Sequence, residues 1–160
     1  MILHPIAPVY DSESRILILG SFPSVKSREI GFYYGHPQNR FWRVLSAVFD
    51  SPIPIFENEK RDFLLSHKVA LWDVIASCEI EGSADSSIRN VLPNNLSLIV
   101  DSAPIKKIFV NGKTAERYYK RFSEPMLGRC AECLPSTSPA NASWSIDKLI
   151  EAWKEIKDYI

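Results

Sequence analysis

Residues 15–24 read RILILGSFPS. Ile16, Leu17, Ile18 and Leu19 form an unbroken apolar run, and Gly20 ends it. A strand with one face in water would alternate apolar and polar side chains. An unbroken run suits a strand covered on both faces, as in a parallel sheet. Three further runs follow: KVALWDV at 68–74, KKIFVNG at 106–112, again closed by glycine, and the weaker RCAECL at 129–134, stopped by Pro135. Helical spacing lies between and after them. Phe41, Leu45, Val48 and Phe49 repeat after Pro37, and KTAERYYKRF sets Ala115 four residues from Tyr119. SIDKLIEAWKEIKDYI puts Ile146, Leu149, Ile150, Trp153, Ile156 and Ile160 on one face, with Ser145 as N-cap. Strands alternating with helices predict an α/β fold, a three-layer α/β/α sandwich around a four-stranded parallel sheet. No repeat or linker divides the 160 residues, so one domain over 1–160 is expected. SPIPIF at 51–56 reads as a connection.

Composition narrows the function classes. Nineteen basic residues balance nineteen acidic ones, which argues against a non-specific nucleic-acid coat; contact with such a partner would be local. No apolar run reaches the roughly 18 residues of a membrane span. The stretch MILHPIAPVYDSESR lacks the charged and apolar regions of a secretory signal, so a cytoplasmic protein is expected. Cys130 and Cys133 form a lone CxxC inside a predicted strand. With Cys78 the only other cysteine, a zinc or iron–sulfur site lacks ligands and buried free thiols are expected.

In an open α/β fold, sites form in the loops at the carboxyl ends of the strands. Those loops are GSFPS at 20–24, WDV at 72–74, NGK at 111–113 and LPSTSPANAS at 134–143. GSFPS is neither a phosphate loop nor a dinucleotide fingerprint, for no GxxxxGK[ST] or GxGxxG is present. LPSTSPANAS reads by itself as a turn cluster, though its hydroxyls suit a phosphate backbone. No GxSxG or HExxH motif occurs, so neither a serine hydrolase nor a metal is implied; of His4, His36 and His67, only His36 has functional surroundings. Those surroundings are GFYYGHPQNRFW at 31–42. Phe41 and Trp42 belong to the core under a helix, but Phe32, Tyr33 and Tyr34 are not all expected there. Aromatic faces beside amides make a pocket for a planar heterocycle, such as a base extruded from a duplex.

Taken together, GSFPS, YGHPQNRFW, VNGKTA and LPSTSPA, in that order, resemble the uracil-DNA glycosylase superfamily over residues 15 to about 145. HPxNRFW and NGK are similar to its mismatch-specific uracil/thymine branch. GSFPS, and LWDVIASC followed by DSSIRN, look closer to the hypoxanthine-DNA glycosylase branch. The resemblance implies the same α/β/α fold and hydrolysis of the N-glycosidic bond of a damaged base, with no cofactor. It implies DNA as partner, and we expect a monomer. Many relatives place a polar, water-positioning residue where Phe22 stands here, just before Pro23. Asn39 is the substitute candidate, since an amide can orient water and an oxocarbenium-like transition state tolerates weak basicity. Tyr34 stands where the family stacks its base, with Phe22, Asp73 and Asn111 as further base-binding candidates. His36 and Pro37 would set the turn. Ser24, Arg40, Ser136, Thr137, Ser138 and Asn141 are the DNA-binding candidates, with an intercalating wedge sought at 138–141. Asp73 only accepts hydrogen bonds, which suits N1–H of hypoxanthine and repels the bare N1 of adenine; its bland alternative is a turn or helix cap. The readings weighed are a hypoxanthine glycosylase, a mismatch-specific uracil glycosylase and a catalytically silent damaged-DNA binding module.

Overall fold

A computed structural model describes residues 1–160. In chain order the elements are β1 (Ile2–Leu3), β2 (Ile16–Gly20), α1 (Val25–Ile30), α2 (Phe41–Val48), α3 (Glu57–Ser66), β3 (Val69–Asp73) and β4 (Ile75–Glu79). They continue with β5 (Arg89–Pro93), α4 (Ser97–Val100), β6 (Lys107–Asn111), α5 (Lys113–Tyr118), α6 (Glu124–Leu127), β7 (Glu132–Leu134) and α7 (Ile146–Trp153). The four expected strands form one parallel sheet in the order β3-β2-β6-β7. Central β2 is wholly buried, as its unbroken apolar run requires. Helices surround this sheet; α3 packs on β3, α5 on β6, and α2 on α7.

The parallel register sets the site. Gly20 lies beside Asp73, Leu19 beside Val110, and Asn111 beside Leu134. Gly20, Asp73 and Asn111 therefore share the carboxyl edge of the sheet, where the loops leave it.

A second, antiparallel sheet, β1-β4-β5, was not expected. KVALWDV reads as one strand to residue 74, but the chain leaves the large sheet at Asp73 and enters a small one at Ile75. Val74 N–H donates to Gly20 O and Ile75 N–H to Ser21 O, while the buried Asn94 amide donates to Asp73 O and Ile75 O. Residues 2–9 strap the sheets together: β1 pairs with β4, and Val9 bridges to Leu71 of β3. The last strand is shorter than expected, Glu132–Leu134, and only half-buried at this sheet edge. Cys130 is consequently exposed and Cys133 intermediate; only Cys78 is a buried thiol. The helix read into KTAERYYKRF ends at Tyr118 and continues as a π-helical turn over Tyr119–Ser123. Ser145 does cap α7, its hydroxyl accepting from Lys148 N–H at 3.2 Å. No helix is long and apolar enough to cross a membrane.

Candidate active site

A cavity of about 480 Å³ opens at the carboxyl edge of the large sheet. Its walls come from the loops after β2 and β7, the connection between α1 and α2, and the carboxyl ends of β3 and β6, with the tip of the β4–β5 hairpin closing one side. That tip is latched to α1: Val25 N–H donates to Ser83 Oγ at 2.9 Å, and Arg28 donates to Gly82 O at 3.0 Å.

One wall is neutral. Asn111 ends β6, and its Oδ1 accepts from Thr137 N–H at 3.1 Å. A backbone N–H can only donate, so this bond fixes which end of the amide is oxygen. Asn111 Nδ2 then donates to Thr137 Oγ1 at 3.0 Å and to the Tyr34 hydroxyl at 3.2 Å. Thr137 Oγ1 passes its own proton to Asn39 Oδ1 at 2.9 Å. Asn39 Oδ1 also accepts from Phe41 N–H at 2.9 Å, which fixes this second amide. Both lone pairs of that oxygen are engaged, and Asn39 Nδ2 has no partner within the chain. Asn39 therefore offers the cavity a donor, where sequence reasoning left both ends of its amide open.

Tyr34 stacks on Phe41 with centroids 4.0 Å apart and planes 15° from parallel. That leaves only its opposite face for a ligand. Its backbone is left-handed, with φ of 52°, a conformation side chains rarely adopt. Burial, reinforced by the nearby Asp73 carboxylate, raises the Tyr34 hydroxyl far above its ordinary pKa, although the Asn111 hydrogen bond opposes this. The hydroxyl keeps its proton. Phe32 and Tyr33, by contrast, are buried in the core; Tyr33 hydroxyl donates to Ala7 O at 2.8 Å.

The other wall is charged. Asp73, at the end of β3, is buried, and its Oδ2 lies 2.7 Å from His4 Nε2. A Cβ added at Gly20 would collide with Asp73 Oδ1 and stand 3.0 Å from the Tyr34 hydroxyl. Glycine is what permits both groups to approach the strand end. Phe22 is buried between the edge-on His4 ring, 5.8 Å away, and the Arg28 guanidinium, 5.6 Å from its centroid. It lines the cavity without a polar group.

Several residues expected to touch DNA also have hydrogen-bond partners that hold the loops. Ser24 caps α1, accepting from Ser27 N–H at 3.2 Å and donating to Ser27 Oγ at 3.1 Å. Thr137 is fully buried inside the neutral wall. Arg40 turns inward: its guanidinium donates to the carbonyls of Ser138, Asn141 and Trp144, and its own N–H to Thr137 O. A loop this rich in unpaired carbonyls needs buried donors, and one guanidinium supplies several. Asn141 Nδ2 donates to Ser136 O at 3.0 Å. Ser136 and Ser138 accept from the N–H groups of Ser138 and Ala140, so their hydroxyl protons remain available. His36 does set the turn, its Nδ1 accepting from Gln38 N–H at 3.1 Å. Sequence reasoning missed Gly20 and the hairpin residues Ile80, Ser83 and Asp85 of the lining, and His4 behind Asp73. Gly20 carried a signal, a glycine closing a buried strand. His4 carried none, because it lies 69 positions from Asp73.

The family model described as Uracil DNA glycosylase superfamily matches residues 7–157. A hypoxanthine DNA glycosylase of Methanosarcina barkeri is 35% identical over 153 residues, which cover 92% of this chain and 93% of that protein. Another of that name, from Methanosarcina acetivorans, is 35% identical over 161 residues, with 98% of each covered. The solution NMR structure of a candidate uracil DNA glycosylase from Methanosarcina acetivorans superposes with a TM-score of 0.83 at 32% identity. That match covers 98% of this chain and 97% of the other.

Proposed function

Because the chain belongs to the uracil DNA glycosylase superfamily, we propose that it excises hypoxanthine from DNA, as a single-domain monomer in the cytoplasm. It is a DNA glycosylase: water adds to C1′ of the deoxyribose, the C1′–N bond breaks, and the base leaves with the bonding electron pair and a proton. The observation that carries the reading of a deaminated base is a buried acceptor, Asp73, beside the free face of Tyr34 in one cavity; N3–H of uracil also suits that acceptor, so pocket size must separate the two. Hypoxanthine presents N1–H as donor, which a carboxylate accepts, whereas adenine presents a bare N1. The two relatives named for hypoxanthine support the same reading.

In this proposal the flipped base stacks on Tyr34, with its N1–H on Asp73 Oδ1. Asn39 holds the attacking water through Nδ2, its orientation set by Thr137 and Phe41 N–H. No protein base of high pKa is needed, since the transition state carries oxocarbenium character. Ser136 and Ser138 donate their hydroxyl protons to the DNA backbone.

Base release from duplexes carrying hypoxanthine, uracil or xanthine, read as strand scission after alkaline treatment, tests the assignment. Hypoxanthine should be released fastest. Ready removal of uracil with hypoxanthine left intact would move the chain to the mismatch-specific reading, and binding without release of any base would make it a damage-binding module.

A further inference from the structure

We propose that His4 is a positioning residue for base recognition: it locks the Asp73 carboxylate with one oxygen turned to the cavity. The inference rests on the reading of Asp73 as the acceptor for the base. His4 does not itself line the cavity, so any effect it has must act through its neighbour.

Its tautomer follows from its partners. Ile6 N–H donates to His4 Nδ1 at 3.2 Å, so Nδ1 carries no proton toward that contact. The ring proton is then on Nε2 and is donated to Asp73 Oδ2 at 2.7 Å. Both side chains are only 4–5% exposed. The hydrogen bond consumes Oδ2 as an acceptor and leaves Oδ1, the oxygen a Cβ at Gly20 would strike, to face the reacting side.

The imidazole cannot swing away. Phe22 meets it edge-on, and Tyr33 packs on it at 6.1 Å with its own hydroxyl anchored on Ala7 O. Its backbone is fixed by His4 N–H donating to Ala76 O at 2.8 Å, within the strap that joins the two sheets. A short stretch from the small sheet thus sets the rotamer of a carboxylate on the large one. A carboxylate free to rotate would present either oxygen, and a misplacement of about 1 Å costs on the order of 10²-fold in rate.

Single-turnover hypoxanthine release by the purified protein tests this, with thermal melting and circular dichroism to confirm folding. His4→Phe keeps the ring and removes both hydrogen bonds; release should fall roughly 10²-fold. His4→Gln returns an N–H near the place of Nε2 and should recover most of that loss, which a role in packing alone would not produce. In an Asp73→Ala background, His4→Phe should cost nothing further, since a group acting through Asp73 has nothing left to act on. If His4→Phe does not fold, His4→Asn, too short to reach Asp73, replaces it. Wild-type release by the His4 variant, alongside an impaired Asp73→Ala, overturns the inference and leaves the Asp73 reading standing. Additive losses in the double variant overturn it in favour of a packing role. Wild-type release by Asp73→Ala overturns the reading of Asp73 and the inference with it.

Discussion

The two walls of the cavity are built on opposite principles. The neutral wall joins Tyr34, Asn111, Thr137 and Asn39 in a relay whose direction is fixed at both ends by backbone N–H groups. The charged wall is one carboxylate and one imidazole, joined by one bond of 2.7 Å. A relay of neutral groups distributes its load, and Asn111, Thr137 and Asn39 each keep another partner when one is lost. A buried carboxylate has no such reserve, because an unpaired charge carries the full cost of desolvation. The relay is suited to holding a neutral water at a defined place, and the pair to reading a donor on the base. In the proposed function, position and recognition fall to different chemistry.

That contrast can be broken most sharply at Asn39. Asn39→Ala removes the only relay member whose N–H has no partner in the chain, and base release should fall by about 10²-fold or more. Substrate binding, measured by anisotropy with hypoxanthine DNA, should stay near wild type. Wild-type turnover by this variant would mean that the neutral wall is scaffold alone.

Gly20→Ala strikes the seam between the walls. The added methyl meets Asp73 Oδ1 and the Tyr34 hydroxyl, and Asp73 cannot retreat without stretching its bond to His4. A loss of roughly 10- to 100-fold in release is expected, together with a lowered melting temperature. Undiminished release would show that the carboxylate is less tightly held than its pairing implies.

Tyr34 joins the neutral wall by its hydroxyl, and in the proposed function its ring stacks on the base. Tyr34→Ala should weaken productive binding by roughly 1–3 kcal/mol, the value of one base stacked on an aromatic ring. Tyr34→Phe keeps the ring and should be mild. Equal damage in the two, measured as KM for hypoxanthine DNA, would transfer the importance of Tyr34 to the relay.

The smallest effect is expected outside the cavity. Hydrogen bonding to Glu132, with burial and the charge of Glu132 adding to it, pushes the Glu155 carboxyl up to about 7. A raised folded-state value means that the protonated form suits the fold. Its stabilisation is complete below about 4.5 and is lost as pH rises through about 7. Glu155→Gln, neutral throughout, should raise the melting temperature by about 1–2 °C at pH 8 and leave it unchanged at pH 4. Release of hypoxanthine should not change, which separates global stability from the behaviour of either wall.

The large sheet was legible because its strands are covered on both faces and read as unbroken runs. RILIL, VALW and IFV declare themselves without any knowledge of their neighbours. The small sheet was not, since β5 is mostly exposed and β4 is fused in sequence to β3 through Val74. Within the site, Asp73 and Asn111 were legible as cavity residues because they end buried strands, and Tyr34 and Asn39 because aromatics and amides crowd a turn-rich stretch. Thr137, Arg40, Asn141 and Ser24 were read as DNA contacts, and their hydrogen bonds within the chain were not legible. Their residue types suit a phosphate, but the same donors satisfy loop carbonyls and helix ends, and only the folded path shows which need prevails. His4 was invisible for a simpler reason. A contact spanning 69 positions leaves no trace in local pattern.

Trp153 of α7 has its indole N–H on Pro135 O, at the entrance to the loop that carries Thr137. In chain order α7 follows every residue that lines the cavity. Synthesis runs from the amino end, so a growing chain acquires Asn39, Asp73, Asn111 and Thr137 before it acquires the helix that fastens their last loop. During that interval the cavity residues exist, and the loop of Thr137 has its bonds to Arg40 and Asn111 but not yet the one from Trp153. In that order of synthesis the last loop of the cavity gains one of its anchors from a segment that lines none of the cavity.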